Sequence, residues 1–391
     1  MTSFYKQLWE RERYNRNGIS GEMFGSLLLT YEGLNYLDKD KNSVKRFSEK
    51  LTEPAFVAGM KSRQKFLKDP IIQRHELPYR EDIHAMILLA DDNTTIMSLK
   101  SKELLEVLDK FARVLTIEYG HSIRNENGDG LEHNGYVDGI SQPLFLKDEQ
   151  EAYKKFHSIS DWKDAKFDPR ANKDLVIIKD LLVDDEHAYG SYFVYRKLEQ
   201  DVKGFKLAEE NLKLGELGGA MLIGRFEDGT PVAISDEEKL IGSGNFNNFN
   251  YATLDPKGDK CPHFAHIRKT NPRISDPSIT KVPIMARRGI PFGKREVDTV
   301  TDPTHHQLPS GGVGLLFMSY QASIINQFEK IHAGVFSDVP DPLLGINTKT
   351  EYQFPSTWGE TSKTTLEFNQ FVKMKGGEYF YAPSIPFFTT I

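Results

Sequence analysis

The sequence predicts β-sheets covered by helices, organised as two domains. Three observations predict it. The chain has 391 residues, and single domains usually run to roughly 100–200. Strand-like apolar runs alternate with segments whose apolar residues recur every three or four positions, the spacing of one helix face. Two long irregular stretches, residues 244–262 and 283–309, interrupt that alternation and argue against a regular doubly wound sheet.

The elements follow in order. Residues 4–13 (FYKQLWERER) read as a helix. Residues 25–31 (GSLLLTY) and 84–90 (HAMILLA) read as strands. Ser101 can cap a helix whose core-facing stripe is Leu104, Leu105, Leu108, Phe111, Val114 and Leu115. Residues 115–119 return as a short strand. The second half loosely repeats this plan. Residues 191–195 (SYFVY) form a strand of β-branched and aromatic residues, followed by a helix with Val202, Phe205, Ala208 and Leu212 on one side. Residues 314–319 (GLLFMS) are a strand leading into a helix that bears Ile324, Ile325, Phe328 and Ile331. Residues 378–382 (EYFYA) are the last strand. The polar, charged stretch 148–169 is the linker between a first domain, 1–147, and a second, 170–391.

Composition excludes several function classes. Aromatic residues make up 11% of the chain, more packing surface than a disordered chain carries. The single cysteine, Cys261, excludes a disulfide framework, cysteine-rich zinc modules and cysteine-ligated iron–sulfur clusters. A net charge of −6 disfavours a general nucleic-acid binder. No run approaches the ~20 apolar residues that span a bilayer. The first 17 residues lack the apolar core of a secretory signal, so the expectation is a cytoplasmic protein without membrane contact.

Three segments carry chemistry. In residues 135–143 (GYVDGISQP), two glycines bracket Asp138. That is either an ordinary Asp-Gly turn or a carboxylate presented where backbone and ligand approach closely. Residues 261–273 (CPHFAHIRKTNPR) hold two histidines and several cations. Zinc through Cys261, His263 and His266 is conceivable but matches no common spacing. A lone imidazole on iron needs only an orienting acceptor behind it. In residues 285–293 (MARRGIPFG), paired arginines beside Gly and Pro can form an anion site or a solvated turn. Residues 224–231 (GRFEDGTP) read as a turn with no nucleophile. The chain has no Walker A loop, no HExxH and no GxSxG elbow.

In identity and order, these segments resemble the haem-binding dye-decolorizing peroxidase family. Gly135 to Gly139 matches its G-x-x-D-G signature, His266 to Arg273 its proximal-histidine segment, and Arg287 to Gly293 its distal-arginine segment. Residues 190–200, 315–320 and 376–383 add support, and the resemblance covers about residues 25–391. One departure stands out: the first strand usual in the family is not recognisable, which would leave the first sheet with an open edge that encourages self-association into a homo-oligomer.

The resemblance implies an α+β fold of two ferredoxin-like domains holding haem b. It implies His266 as the iron ligand, backed by a carboxylate that the sequence does not assign. Asp138 would be the acid–base group and Arg287 the charge stabiliser. Leu315 and Phe317 would wall the pocket, Arg273 would pair with a haem propionate, and Gly139, Ile140 and Ser141 would contact the cofactor. The implied activity is reduction of hydrogen peroxide with oxidation of organic donors such as dyes or phenolics, with an acidic optimum. Bulky donors would deliver electrons at the surface through tyrosine or tryptophan, with Trp358, Tyr379 and Tyr381 as candidates. Two other readings remain: a haem-handling protein of deferrochelatase type with little peroxidase turnover, and an interaction module with no cofactor.

Overall fold

The computed structural model describes residues 17–19, 23–38, 47–140, 142–156, 171–238, 249–273, 283–295, 305–333, 341–343 and 350–389, with Trp9, Glu10, Arg13, Gly21 and Ser158. The strands are β1 (Phe24–Leu29), β2 (Ala85–Ala90), β3 (Ile123–Arg124), β4 (Gly130–Leu131), β5 (Ile178–Lys179) and β6 (Tyr189–Gln200). They continue with β7 (Ala286–Arg287), β8 (Ile290–Phe292), β9 (Gly314–Gln321), β10 (Thr350–Pro355), β11 (Lys363–Phe368) and β12 (Val372–Ala382).

The main sheet is antiparallel and runs β2-β1-β12-β6-β9-β7, with β5 on β6 and β8 on β9. Strands β6 and β12 pair over ten register positions, from Val372↔Gln200 to Ala382↔Ser191. Side chains alternate across them. Tyr192, Val194, Tyr379 and Tyr381 pack into one apolar cluster, while Phe193, Tyr195 and Phe380 pack into another on the opposite face. Phe193 has no exposed surface, so its replacement by alanine costs about 3–5 kcal/mol. The pairing shifts register between Met374 and Gly376. A Cβ on Gly376 would lie 2.1 Å from the Tyr79 ring, so only glycine fits.

The two halves of the chain share this sheet. Strand β1 joins β12 through the register pair Leu29↔Tyr381. Charge pairs tie the halves further. The Arg196 guanidinium bonds Asp69 at 2.9 and 2.5 Å, Arg63 bonds Glu329 at 2.8 and 2.6 Å, and Lys197 bonds Glu76 at 2.8 Å and Glu118 at 3.0 Å.

Helix α1 (Tyr31–Leu37) starts where Thr30 caps it, accepting from Gly33 N. The first strand therefore stops at Leu29, not at Tyr31 as the sequence suggested. Helix α2 (Thr94–Leu108) corrects a larger expectation: Asn93, not Ser101, is its cap, accepting from Thr95 and Ile96 N. The helix ends before Phe111, and none of its residues is buried. Leu99, Phe111 and Val114 face outward at 58, 73 and 41% exposure. Residues 115–119 are not a strand; Gly120 alone bridges to Phe292. Among the described residues strand β2 pairs only with β1, at the end of the sheet.

The stretch read as a linker opens with helix α3 (Lys147–Phe156). The helix α4 (Val202–Asn211) buries Val202 and Phe205 on the expected side. The expected helix after β9 starts as one wide π-turn, Ile324–Glu329, before Lys330–His332 continues it as an α-turn. The two stretches read as irregular carry structure: Tyr251–Leu254 is a short helix, and β7 and β8 lie within 283–309. Trp9, Glu10 and Arg13 are helical, and the rest of the 4–13 expectation falls outside the described residues. Among the described residues no helix is long and apolar enough to cross a membrane.

Candidate active site

Asp138 sits on a tight ribbon. Asp138 N donates to Gly130 O at 2.9 Å, and Glu132 N donates to Tyr136 O at 3.0 Å. Leu131 bridges Val137. Gly135 and Gly139 have φ of 98° and 80°, values that a side chain would strain, so both glycines serve the turn itself. The turn reading thus holds, and the same turn presents Asp138. The ribbon is bolted to the second half. The buried Tyr136 hydroxyl donates to Glu209 Oε1 at 2.5 Å, Lys206 pairs with Glu209 at 2.8 Å, and Val137 N donates to Glu227 O at 3.1 Å.

Arg287 faces Asp138, with Nη1 4.0 Å from Oδ1. Strand β7 places it, pairing Arg287 with Ser319 of β9. Side chains on a strand alternate faces, so Arg287, Ser319, Phe317 and Leu315 point the same way. Leu315 and Phe317 are half-buried there, while Leu316 and Met318, on the other face, are buried. The two apolar residues therefore lie on the Arg287 side of β9. The Gln142 side chain donates to Arg287 O and ties the two motifs together.

His266 opens helix α5 (His266–Thr270). Its Nδ1 lies 2.9 Å from Asp341 Oδ2, and Asp341 is buried. Asp341 is itself fixed by Leu343 N on Oδ1 at 2.9 Å. Burial pushes the imidazole pKa down, but Asp341's charge and hydrogen bond outweigh it, and the net direction is up. The helix is pinned by Arg268, which donates to Asp255 Oδ2 at 2.9 Å and to Asp255 O at 2.8 Å. Cys261 is buried, and burial pushes its thiol up to about 12. That leaves a protonated packing residue and no thiolate ligand.

Two groups beyond the expected triad face the same space. Glu132 accepts from Gln200 Nε2 at 2.6 Å. Burial, then Asp138's charge, push its carboxyl up to about 7, against the Gln200 bond and the charges of His266 and Arg287. Glu132 is thus within electrostatic reach of all three. Arg225 is buried and donates to Gly229 O at 2.8 Å. Burial, then the nearby Arg273 and Arg287, push its guanidinium down to about 9. Arg225, Arg273 and Arg287 are thus within electrostatic reach of one another.

The structure therefore brings Asp138, Arg287 and His266 to one site, with Leu315 and Phe317 beside it. Arg273 stacks on Phe249, 4.0 Å from the ring centroid, within reach of Arg225. Space over Gly139 is open and Ile140 is half-buried. Ser141 lies outside the described residues. Of the proposed surface aromatics, Tyr379 and Tyr381 are fully buried, with hydroxyls on Glu329 at 3.1 Å and Asp180 at 3.2 Å. Trp358 is half-buried and donates to Val232 O at 2.7 Å. Sequence reasoning missed Asp341, Glu132 and Arg225. Asp341 had one signal, its place between Pro340 and Pro342.

The donor set suits haem. A histidine with Nδ1 engaged has Nε2 as its ligating nitrogen. Half-buried apolar side chains, a carboxylate facing a cation and two further arginines stand with it.

Comparisons with known proteins agree. The C-terminal family of Dyp-type peroxidases matches residues 160–344. The multifunctional dye peroxidase DyP2 of an Amycolatopsis species is 38% identical over 369 residues, covering 87% of this chain and 78% of the relative. Peroxidase 2 of Mycetinis scorodonius is 27% identical over 384 residues, covering 88% of this chain and 72% of the relative. The crystal structure of a DyP-type peroxidase from an Anabaena species superposes with a TM-score of 0.85 at 34% identity, covering 100% of this chain and 84% of that one.

Proposed function

The chain belongs to the dye-decolorizing peroxidase family and is a haem-dependent peroxidase, and from that premise we propose that it reduces hydrogen peroxide at the Asp138–Arg287 pair while oxidising dyes or phenolic donors. The cofactor on this reading is haem b, held through His266. Arg225 and Arg273 would hold its propionates, and Gly139, Ile140 and Ser141 would border it. When bound, haem supplies the iron that accepts oxidising equivalents from peroxide.

The chain's own residues do the rest. Asp138 takes a proton from one peroxide oxygen through its carboxylate and returns it to the other, which a single well-placed base can do. Arg287 offers fixed donors to the negative charge that develops, worth about 3 kcal/mol in a dry site. Asp341 holds the His266 ring in one orientation and keeps its Nδ1 proton, which raises the basicity of Nε2. Leu315 and Phe317 leave room for peroxide beside Arg287 and restrict larger molecules. On this reading the first domain, 1–147, supplies Asp138, and the second, 170–391, supplies His266 and Arg287. The ribbon bolted onto helix α4 through Tyr136 supports that division of labour.

One observation carries the reading. A buried carboxylate engages Nδ1 of His266 in a site that also presents Asp138 and Arg287, 4.0 Å apart. The test is peroxide turnover of haem-loaded Asp138→Asn and Arg287→Leu. Each loses at least about a hundredfold. Wild-type turnover in both would overturn the assigned roles.

A further inference from the structure

Reduction of one peroxide to two waters consumes two electrons and two protons. Asp138 moves a proton between the two peroxide oxygens, but that shuttle is neutral overall. The two protons consumed must enter from solvent, because donors oxidised at the surface release theirs there. The proton-entry group should lie beside Asp138, carry a proton near neutral pH and hold a fixed geometry. Glu132 meets all three conditions.

The ribbon geometry comes first. Gly130 lies opposite Asp138 and Leu131 opposite Val137. Positions two apart on a ribbon share a face, so Glu132 and Asp138 leave it on the same side as diagonal neighbours, about 7 Å apart. At that backbone spacing the two side chains can approach closely enough to share a water. Gln200, on the neighbouring β6, fixes the carboxyl at 2.6 Å. The same amide has a second, independent feature. Gln200 is 6% exposed, and its Oε1 is buried with no hydrogen-bond partner among the described residues. A buried amide oxygen is rarely left in that state. It is an acceptor held ready beside the carboxyl, as a water or a protonated acid requires.

We propose that Glu132 is the proton-supplying residue of this site, passing solvent protons to Asp138 through a water held at Gln200. The step balances: protonated Glu132 and ionised Asp138 become ionised Glu132 and protonated Asp138, and Glu132 then regains its proton from solvent. The inference rests on the peroxidase reading and names the group that feeds it. The electrostatics agree in direction. The carboxyl is pushed up to about 7 by burial and by Asp138, while Gln200, His266 and Arg287 hold it down. It is therefore protonated through the acidic range and loses its proton as pH passes about 7.

Two measurements test this. Infrared difference spectroscopy on the haem-free chain, titrated from pH 5 to 9, should show a protonated carboxyl band that disappears near pH 7 and is absent in Glu132→Gln. In the haem-loaded enzyme, Glu132→Gln should lower turnover about tenfold or more at pH 5–6 and abolish the alkaline limb of the pH profile. Gln200→Leu keeps the carboxyl but removes a bond that stabilises its ionised form, so the limb should move to higher pH. This second variant decides the matter if Glu132→Gln fails to take up haem, since a purely structural role would not shift the limb upward. A Glu132→Gln enzyme with the wild-type rate and pH profile, or a limb unmoved in Gln200→Leu, would overturn the proposal. If Asp138→Asn also keeps full turnover, the acid–base role of Asp138 itself fails; if Asp138→Asn is inactive, only the role of Glu132 does.

Discussion

Asp341 Oδ2 lies 2.9 Å from His266 Nδ1, and the carboxylate that makes this bond is buried 75 residues further along the chain. The bond fixes which nitrogen of the ring faces the site. It also makes the histidine more basic than burial alone would allow.

The first prediction follows from that bond. Asp341→Asn removes the charge that raises the His266 pKa, so the pKa of the haem-free chain falls, as read by NMR titration of the ring. Haem still binds, and the reaction with peroxide slows by about ten- to a hundredfold. A group whose pKa is raised on folding stabilises the fold at low pH, and that contribution is lost as pH rises through the folded value. The haem-free wild type therefore loses stability above pH 6.5 from this source, and Asp341→Asn does not.

Asp69 predicts acid sensitivity. Burial would raise its pKa, but Arg196's charge and hydrogen bonds, with His332 3.7 Å away, lower it from 3.8 to about 2. At roughly 1.4 kcal/mol per unit this is about 2 kcal/mol. The contribution is full above the unfolded value and lost as pH falls through 2. Urea unfolding between pH 5 and 2 should show that loss. Asp69→Asn should be strongly destabilised at neutral pH, because it leaves Arg196 buried without its counter-charge.

Tyr136→Phe keeps the ring in its apolar cluster and strands Glu209 without the hydroxyl. The expected cost is about 1–3 kcal/mol in thermal or urea unfolding. Turnover should fall with little change in haem affinity, because the loosened ribbon carries Asp138.

Arg225→Leu removes one of the two arginines proposed to hold the propionates. Hydrogen bonds to charged groups are worth about 1.5–3 kcal/mol. Haem affinity should drop ten- to a hundredfold in a Soret titration, and the rise in melting temperature on adding haem should shrink.

The candidate motifs were readable because each is contiguous. Gly135 and Gly139 mark the turn, and Asp138 sits between them. His266 and Arg287 lie in short segments whose chemistry is local. Asp341 was not readable, since its role depends on a contact that only the fold creates. Glu132 is three residues from the glycine that starts the motif, but its role comes from sharing a ribbon face with Asp138 and a bond with Gln200 on β6. Helix α2 failed for a different reason. The stripe from Leu104 to Leu115 has helical spacing, but the chain leaves the helix after Leu108: Leu104, Leu105 and Leu108 are half-buried against β2, while Phe111 and Val114 lie beyond the helix and face outward. Hydrophobic spacing reports a face and not what lies against it. Strands β6, β9 and β12 were legible because their aromatic and β-branched runs are buried on both sides.

The central claim is that one chain joins a haem-ligating His266 to a peroxide-handling Asp138–Arg287 pair. The most direct measurement is the absorption spectrum of the haem-loaded protein before and after one equivalent of hydrogen peroxide. A Soret band that forms in the wild type and not in His266→Ala, shifts within seconds of adding peroxide and returns when a phenolic donor follows, is the result this account predicts. A Soret band that peroxide leaves unmoved, or a band indifferent to His266→Ala, would contradict it.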